Sequence, residues 1–148
     1  MSRAEARPVI VVGVDGSEDS TQALRWAAHH AKLTGAEVRA VTGWDIPFTL
    51  MVSPTLDESD YEADAEQALR RAIDDVLGPN PDVPVISRVI QGRPARTLVA
   101  EAENADLLVI GRHGHGELPG VHLGTVASYC VHHAPCAVVV VRRDTPHI

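Results

Sequence analysis

The chain has 148 residues, a length that suits one domain with a sizeable core. Hydrophobic residues make up 45% and charged residues 22%, as in folded globular proteins, and with aromatics at 3% the core must be aliphatic: Val, Ala, Leu and Ile. A formal charge of −7 argues against nucleic acid held by phosphate neutralisation and against a polybasic contact with a membrane.

Met1 to Pro8 carries charge, and only the short apolar run Val9 to Val12 follows, which reads as a strand and not as a signal peptide. No window approaches the ~20 apolar residues that span a bilayer. Cys130 and Cys136 are too few and too isolated for a disulfide framework, so a cytoplasmic protein with reduced thiols is expected.

Val9 to Val14 is a continuous apolar run, the pattern of a strand covered on both faces. Asp15-Gly16-Ser17 makes a turn. Ser17 or Ser20 can cap the following helix, with Glu18 and Asp19 favourable in its first turn. Leu24, Ala27, Ala28 and Ala31 recur at helical spacing, and Gly35 stops the helix. A second strand runs from Val38 to Gly43. Trp44 to Asp60, with Pro47 and Pro54 and the apolar Phe48, Leu50, Met51 and Val52, reads as a long loop, either a lid or a surface excursion packed on itself.

Tyr61, Ala65, Ala68, Leu69, Ala72, Ile73, Val76 and Leu77 mark an amphipathic helix ended by Gly78-Pro79. Val83 to Ile90 is a third strand. Pro94 opens a helix whose buried face is Leu98, Val99 and Ala102. Leu107 to Ile110 is the fourth strand, Val126 to Ala134 the last helix, and Ala137 to Val141 the fifth strand. Strands alternating with helices imply parallel strands with helices on both faces, a single doubly wound α/β domain over residues 1–148 without repeat or linker.

Ligands of such sheets bind beyond the carboxyl ends of strands, where the winding reverses. Two strand ends here carry suitable chemistry. The first ends in Asp15. The fourth runs into Gly111-Arg112-His113-Gly114, then nine residues, then Gly124-Thr125 opening the last helix. Glycines let backbone N–H groups approach a phosphate, and the N–H groups of Gly124, Thr125 and Val126 would sit at the positive end of a helix dipole. Thr125 and Ser128 add hydroxyls; Arg112, His113 and His115 add positive charge or simply a solvated loop surface. A Walker loop is excluded, because the chain's only lysine, Lys32, lies far from these glycines. A metal site is not expected: His29-His30 and His132-His133 are adjacent pairs, and neighbours on a helix point in different directions. No Gly-x-Ser-x-Gly elbow marks a hydrolase.

The segment from Gly111 to Arg142 resembles the nucleotide-binding branch of the universal stress protein family, whose pattern is Gly-x2-Gly-x9-Gly-Ser/Thr, here completed by Thr125. Val12-Gly-Val-Asp15-Gly-Ser17, Gly92-Arg-Pro94 with Leu98, and His133-Ala-Pro-Cys136 match as well. The resemblance implies the strand order 3-2-1-4-5 and a Rossmann-like sheet. It implies ATP, with Mg²⁺ carried on the phosphates. Asp15 would bond the ribose, backbone groups near Gly43 would read the adenine edge, and Gly111, Gly114, Gly124, Thr125 and Val126 would hold phosphates and ribose. Val14, Arg112 and His113 complete the expected contact set. Gly43 departs from the larger aliphatic residue usual there, which would cost the adenine pocket a packed wall. A homodimer through Val138, Val139, Val140 and Val141 is also implied.

The first functional reading is therefore an ATP-binding stress-response or regulatory protein with slow or no hydrolysis, because no base stands out to position an attacking water; His113 is the nearest candidate. An adenylating enzyme of the ATP pyrophosphatase type is the alternative, since Asp15-Gly-Ser-Glu-Asp-Ser20 is similar to the Ser-Gly-Gly-x-Asp-Ser loop of that class. The leading Asp and the missing second glycine depart from it. A ligand-free dimeric interaction module is the third reading.

Overall fold

The computed structural model describes residues 7–44, 58–114 and 123–143. Five parallel strands, β1 (Val9–Gly13), β2 (Glu37–Trp44), β3 (Val85–Gln91), β4 (Leu107–Gly111) and β5 (Ala137–Val141), form one sheet in the order β3-β2-β1-β4-β5. Central β1 registers Val12 against Ala40 of β2 on one side and against Val109 of β4 on the other. This is the order expected from the family resemblance.

Alternation along β1 divides the core into two layers. Ile10, Val12 and Val14 face α1 (Glu18–Thr34) and α2 (Glu58–Leu77), packing with Ala23, Leu24, Ala27 and Ala31 of α1 and Leu69 of α2. Val9 and Val11 face α3 (Pro94–Glu101), which a 3-10 turn over Ala102–Asn104 extends, and α4 (Thr125–His133). Leu98, Ala102, Leu108, Ala127 and Cys130 complete that second layer. Each fully buried Val, Leu or Ile contributes about 1.5–3 kcal/mol, so an all-aliphatic core suffices. Small alanines on α1 let that helix lie close against the sheet.

Ser17 caps α1: its backbone is extended and its hydroxyl oxygen accepts the Ser20 N–H at 3.2 Å, with Glu18 and Asp19 in the first turn. Several boundaries differ from the sequence expectation. Residues 58–60, expected at the end of a long loop, already belong to α2. Trp44 belongs to β2, pairing with Gln91, and the rest of that expected loop, residues 45–57, lies outside the described residues. Val83, expected to begin the third strand, precedes it. Pro84 has no N–H for the ladder, and its carbonyl accepts the Val38 N–H at 2.9 Å just before β3 begins. Among the described residues no helix is long and apolar enough to cross a membrane.

Candidate functional site

The winding reverses between β1 and β4, because β1 continues to β2 on one flank and β4 lies on the other. A pocket of about 340 Å³ opens there, beyond the carboxyl ends of the strands, at the small end of the range for ligand sites. Its walls come from every neighbouring element. Val14 and Asp15 follow β1, Thr42 and Gly43 come from β2, and Pro94 and Leu98 from α3. Gly111, His113 and Gly114 close the β4 side, and Val126 of α4 the far end.

The Asp15 side is fixed by short hydrogen bonds. The Val14 N–H donates to the Val41 carbonyl at 3.0 Å, and the Thr42 hydroxyl donates back to the Val14 carbonyl at 2.8 Å. Asp15 Oδ1 accepts the Ser17 N–H at 2.9 Å as well as the Ser17 hydroxyl, and the Asp15 N–H donates to Ser20 Oγ at 3.3 Å. The carboxylate thus stands in an Asx turn that also caps α1, so one local motif orients the acid and starts the helix.

On the other side, the Arg112 N–H donates to the Val141 carbonyl and the Gly124 N–H to the Arg112 carbonyl, both at 2.8 Å. The His113 N–H donates to Asp19 Oδ2 at 3.0 Å. These bonds bring the two halves of the glycine motif together, although eight residues between them, 115–122 with His115 and His122, lie outside the described residues. A Cβ at position 114 would stand 3.0 Å from Asp15 Oδ2, so the glycine lies directly on the carboxylate. The α4 N-terminus has no side-chain cap, and Val126 of its first turn faces the pocket.

Seven of the expected contact residues line this pocket: Val14, Asp15, Gly43, Gly111, His113, Gly114 and Val126. Arg112, Gly124 and Thr125 are not among its lining residues. Two expectations need correction. The Gly124 N–H, expected to point at a phosphate, is engaged by the Arg112 carbonyl. The wall expected to be missing at Gly43 is present: a Cβ there would stand 2.8 Å from Pro94 Cα and 3.2 Å from the Gly92 carbonyl oxygen, so the start of α3 fills that space. Sequence reading missed Thr42 and Pro94 as lining residues. Leu98, expected in the core, and Ser17 and Ser20, expected as caps, line the pocket too. The signal for Pro94 was available, since a glycine near the end of β2 invites the close approach of another backbone.

Among the described residues no group of three or more His, Cys, Asp and Glu gathers as a metal site. The rings of His30 and His133 instead lie against Trp26 and Tyr129, at 4.9 and 4.3 Å between centroids. Burial pushes the Cys130 thiol up from 9.0 to about 11, and burial followed by the nearby Asp106 charge raises Cys136. Neither cysteine has the depressed pKa of a nucleophile.

An open parallel sheet with a carboxylate facing a glycine loop across its switch point defines a doubly wound α/β domain. The model of the universal stress protein family matches residues 7–142, and the chain belongs to that family. It is 37% identical over 135 residues to Universal stress protein Rv2005c of Mycobacterium tuberculosis, covering 91% of this chain and 45% of that protein. To a universal stress protein of Mycolicibacterium smegmatis it is 34% identical over 143 residues, covering 91% and 48%. The chain therefore spans about half the length of these relatives. Among solved structures it is similar to universal stress protein UspA from Lactobacillus plantarum, with a TM-score of 0.78 at 29% identity over 93% of this chain and 100% of that one. It is also similar to a universal stress protein in complex with cAMP, with a TM-score of 0.71 at 26% identity over 93% and 98%.

Proposed function

We propose that this chain is an ATP-binding regulatory protein of the stress response that acts as a cytoplasmic homodimer and hydrolyses ATP slowly or not at all. The observation that carries the reading is the contact of Gly114 with the Asp15 carboxylate at the mouth of a switch-point pocket. It sets an acceptor for ribose hydroxyls beside a backbone cradle for phosphates. The first turn of α4, which has no side-chain cap, would supply dipole and N–H donors to the same end through Val126, which lines the pocket, and Thr125 beside it. The similar protein solved with cAMP lends support that a nucleotide is the ligand class.

The aliphatic walls at Val14, Pro94 and Leu98 suit a base, and the backbone of Gly43 would read its edge. Mg²⁺ would ride on the phosphates. Slow hydrolysis follows from the described lining, whose titratable side chains are Asp15 and His113. Ser17 already holds one oxygen of Asp15, and no other carboxylate is among the described lining residues. The adenylating-enzyme reading is less favoured, because the turn it rests on serves here to cap α1. Dimerisation would use β5, where Val138, Val139 and Val140 remain half-buried in the single chain and pairing with a second copy would cover an apolar edge.

The test is to heat-denature freshly purified protein, identify the released small molecules by chromatography with mass detection, and titrate the emptied protein with Mg-ATP. Released ATP or ADP, or saturable binding, is expected. An empty protein that takes up no Mg-ATP would overturn the proposal and leave the interaction module.

A further inference from the structure

Asp19 sits in the first turn of α1 with 4% of its surface exposed. Burying a carboxylate is costly unless its oxygens are bonded. In the sequence this residue reads as an acid placed for the helix dipole. Its Oδ2 instead reaches across the fold to accept the His113 backbone N–H at 3.0 Å. Position 111 makes that reach possible: a Cβ there would stand 2.8 Å from Asp19 Cβ and 2.9 Å from its carbonyl carbon, so only glycine lets β4 end against the α1 turn.

Resting on the nucleotide reading above, we propose that Asp19 is the positioning residue of the phosphate loop. Two hydrogen bonds, to Val141 and from Gly124, hold Arg112. The Asp19 bond holds the next residue, His113, which leads directly into Gly114, and Gly114 lies on the Asp15 carboxylate. The α1 N-terminus therefore carries two acids with separate tasks: Asp15 faces the ligand, and Asp19 sets where the loop opposite it stands. The other neighbour of Asp19 is Arg143, whose Nε lies 3.8 Å from Oδ1. That arginine is 65% exposed and also reaches Glu18 at 3.4 Å, and at 3.8 Å from Asp19 it stands beyond hydrogen-bond distance. The charge-assisted bond to the loop is the stronger interaction.

The test compares Mg-ATP affinity and amide hydrogen exchange at His113 in wild type, Asp19→Ala, Asp19→Asn and Arg143→Ala, with melting curves to verify folding. Asp19→Ala is expected to bind about thirtyfold more weakly or worse, with faster exchange at His113. Asp19→Asn keeps an oxygen that accepts the same N–H and should stay within about fivefold of wild type. Arg143→Ala should bind as wild type does. Should Asp19→Ala fail to fold, Asp19→Ser, polar but too short to reach His113, carries the same expectation. Wild-type affinity in the folded Ala or Ser variant, unchanged exchange at His113, or an equal loss in Arg143→Ala would overturn the inference while leaving the nucleotide reading intact. Failure of the wild type itself to bind Mg-ATP would overturn both.

Discussion

Gly43 and Gly111 shape the site by what they lack. Each lets another element come within van der Waals contact of a strand end: the start of α3 at Gly43, the first turn of α1 at Gly111. At position 43 the atoms in the way are backbone, so a side chain cannot be accommodated by a rotamer change. Gly43→Val is expected to destabilise the fold by about 1–3 kcal/mol through overpacking and to push α3 away from the pocket. A thermal melt reads the first effect, and an unchanged melting temperature would show that α3 yields freely. Asp15 belongs to the same scale. Removing its carboxylate in Asp15→Ala deletes the proposed ribose acceptor and the Ser17 bond together, so calorimetric titration should show at least about tenfold weaker Mg-ATP binding. Wild-type affinity in that variant would remove Asp15 from the site.

Elements transmit these contacts. Helix α3 lies on the sheet through Leu98, which is buried in the second core layer, lines the pocket and meets the glycine at the end of β1. Leu98→Ala should cost about 2–5 kcal/mol in denaturant unfolding, because a rigid sheet cannot collapse into the space. Helix α4 carries Cys130 in the same layer. Its thiol ionises at about 11 in the folded chain against 9.0 ordinarily. Above pH 9 the unfolded chain releases that proton first, so stability falls as pH rises from 9 towards about 11 and is unaffected below. The decline should be shallower in Cys130→Ala, and an identical alkaline limb in both proteins would contradict the assignment.

Most elements were legible in the sequence for local reasons. Unbroken apolar runs identify β1 and β4, alanine spacing identifies α1, and Pro94 and Gly35 mark a start and a stop. The Asp19–His113 bond was not legible, because it joins residues 94 apart in the chain and depends on how α1 and β4 pack. Gly43 was visible as a departure from the family pattern, yet only the position of α3 reveals what replaces the missing side chain. The strand order came from the resemblance, since alternation alone fixes parallel strands but not their sequence in the sheet.

At the scale of the whole molecule, the sheet ends in an edge of valines at β5, and two chains paired there would bury it. Light scattering at micromolar concentration should give the mass of a dimer, and Val139→Lys should return it to a monomer. A wild-type monomer would contradict the pairing. With a formal charge of −7 the molecule as a whole repels phosphates, so the proposed nucleotide would have to be held by directed backbone donors.

Whether a nucleotide lies between Asp15 and the glycine loop, as proposed, is read by backbone amide NMR during Mg-ATP titration. Saturable shifts should concentrate at Asp15, Gly43, residues 111–114 and residues 124–126. Absent shifts, or shifts confined to residues outside this switch-point pocket, would contradict it.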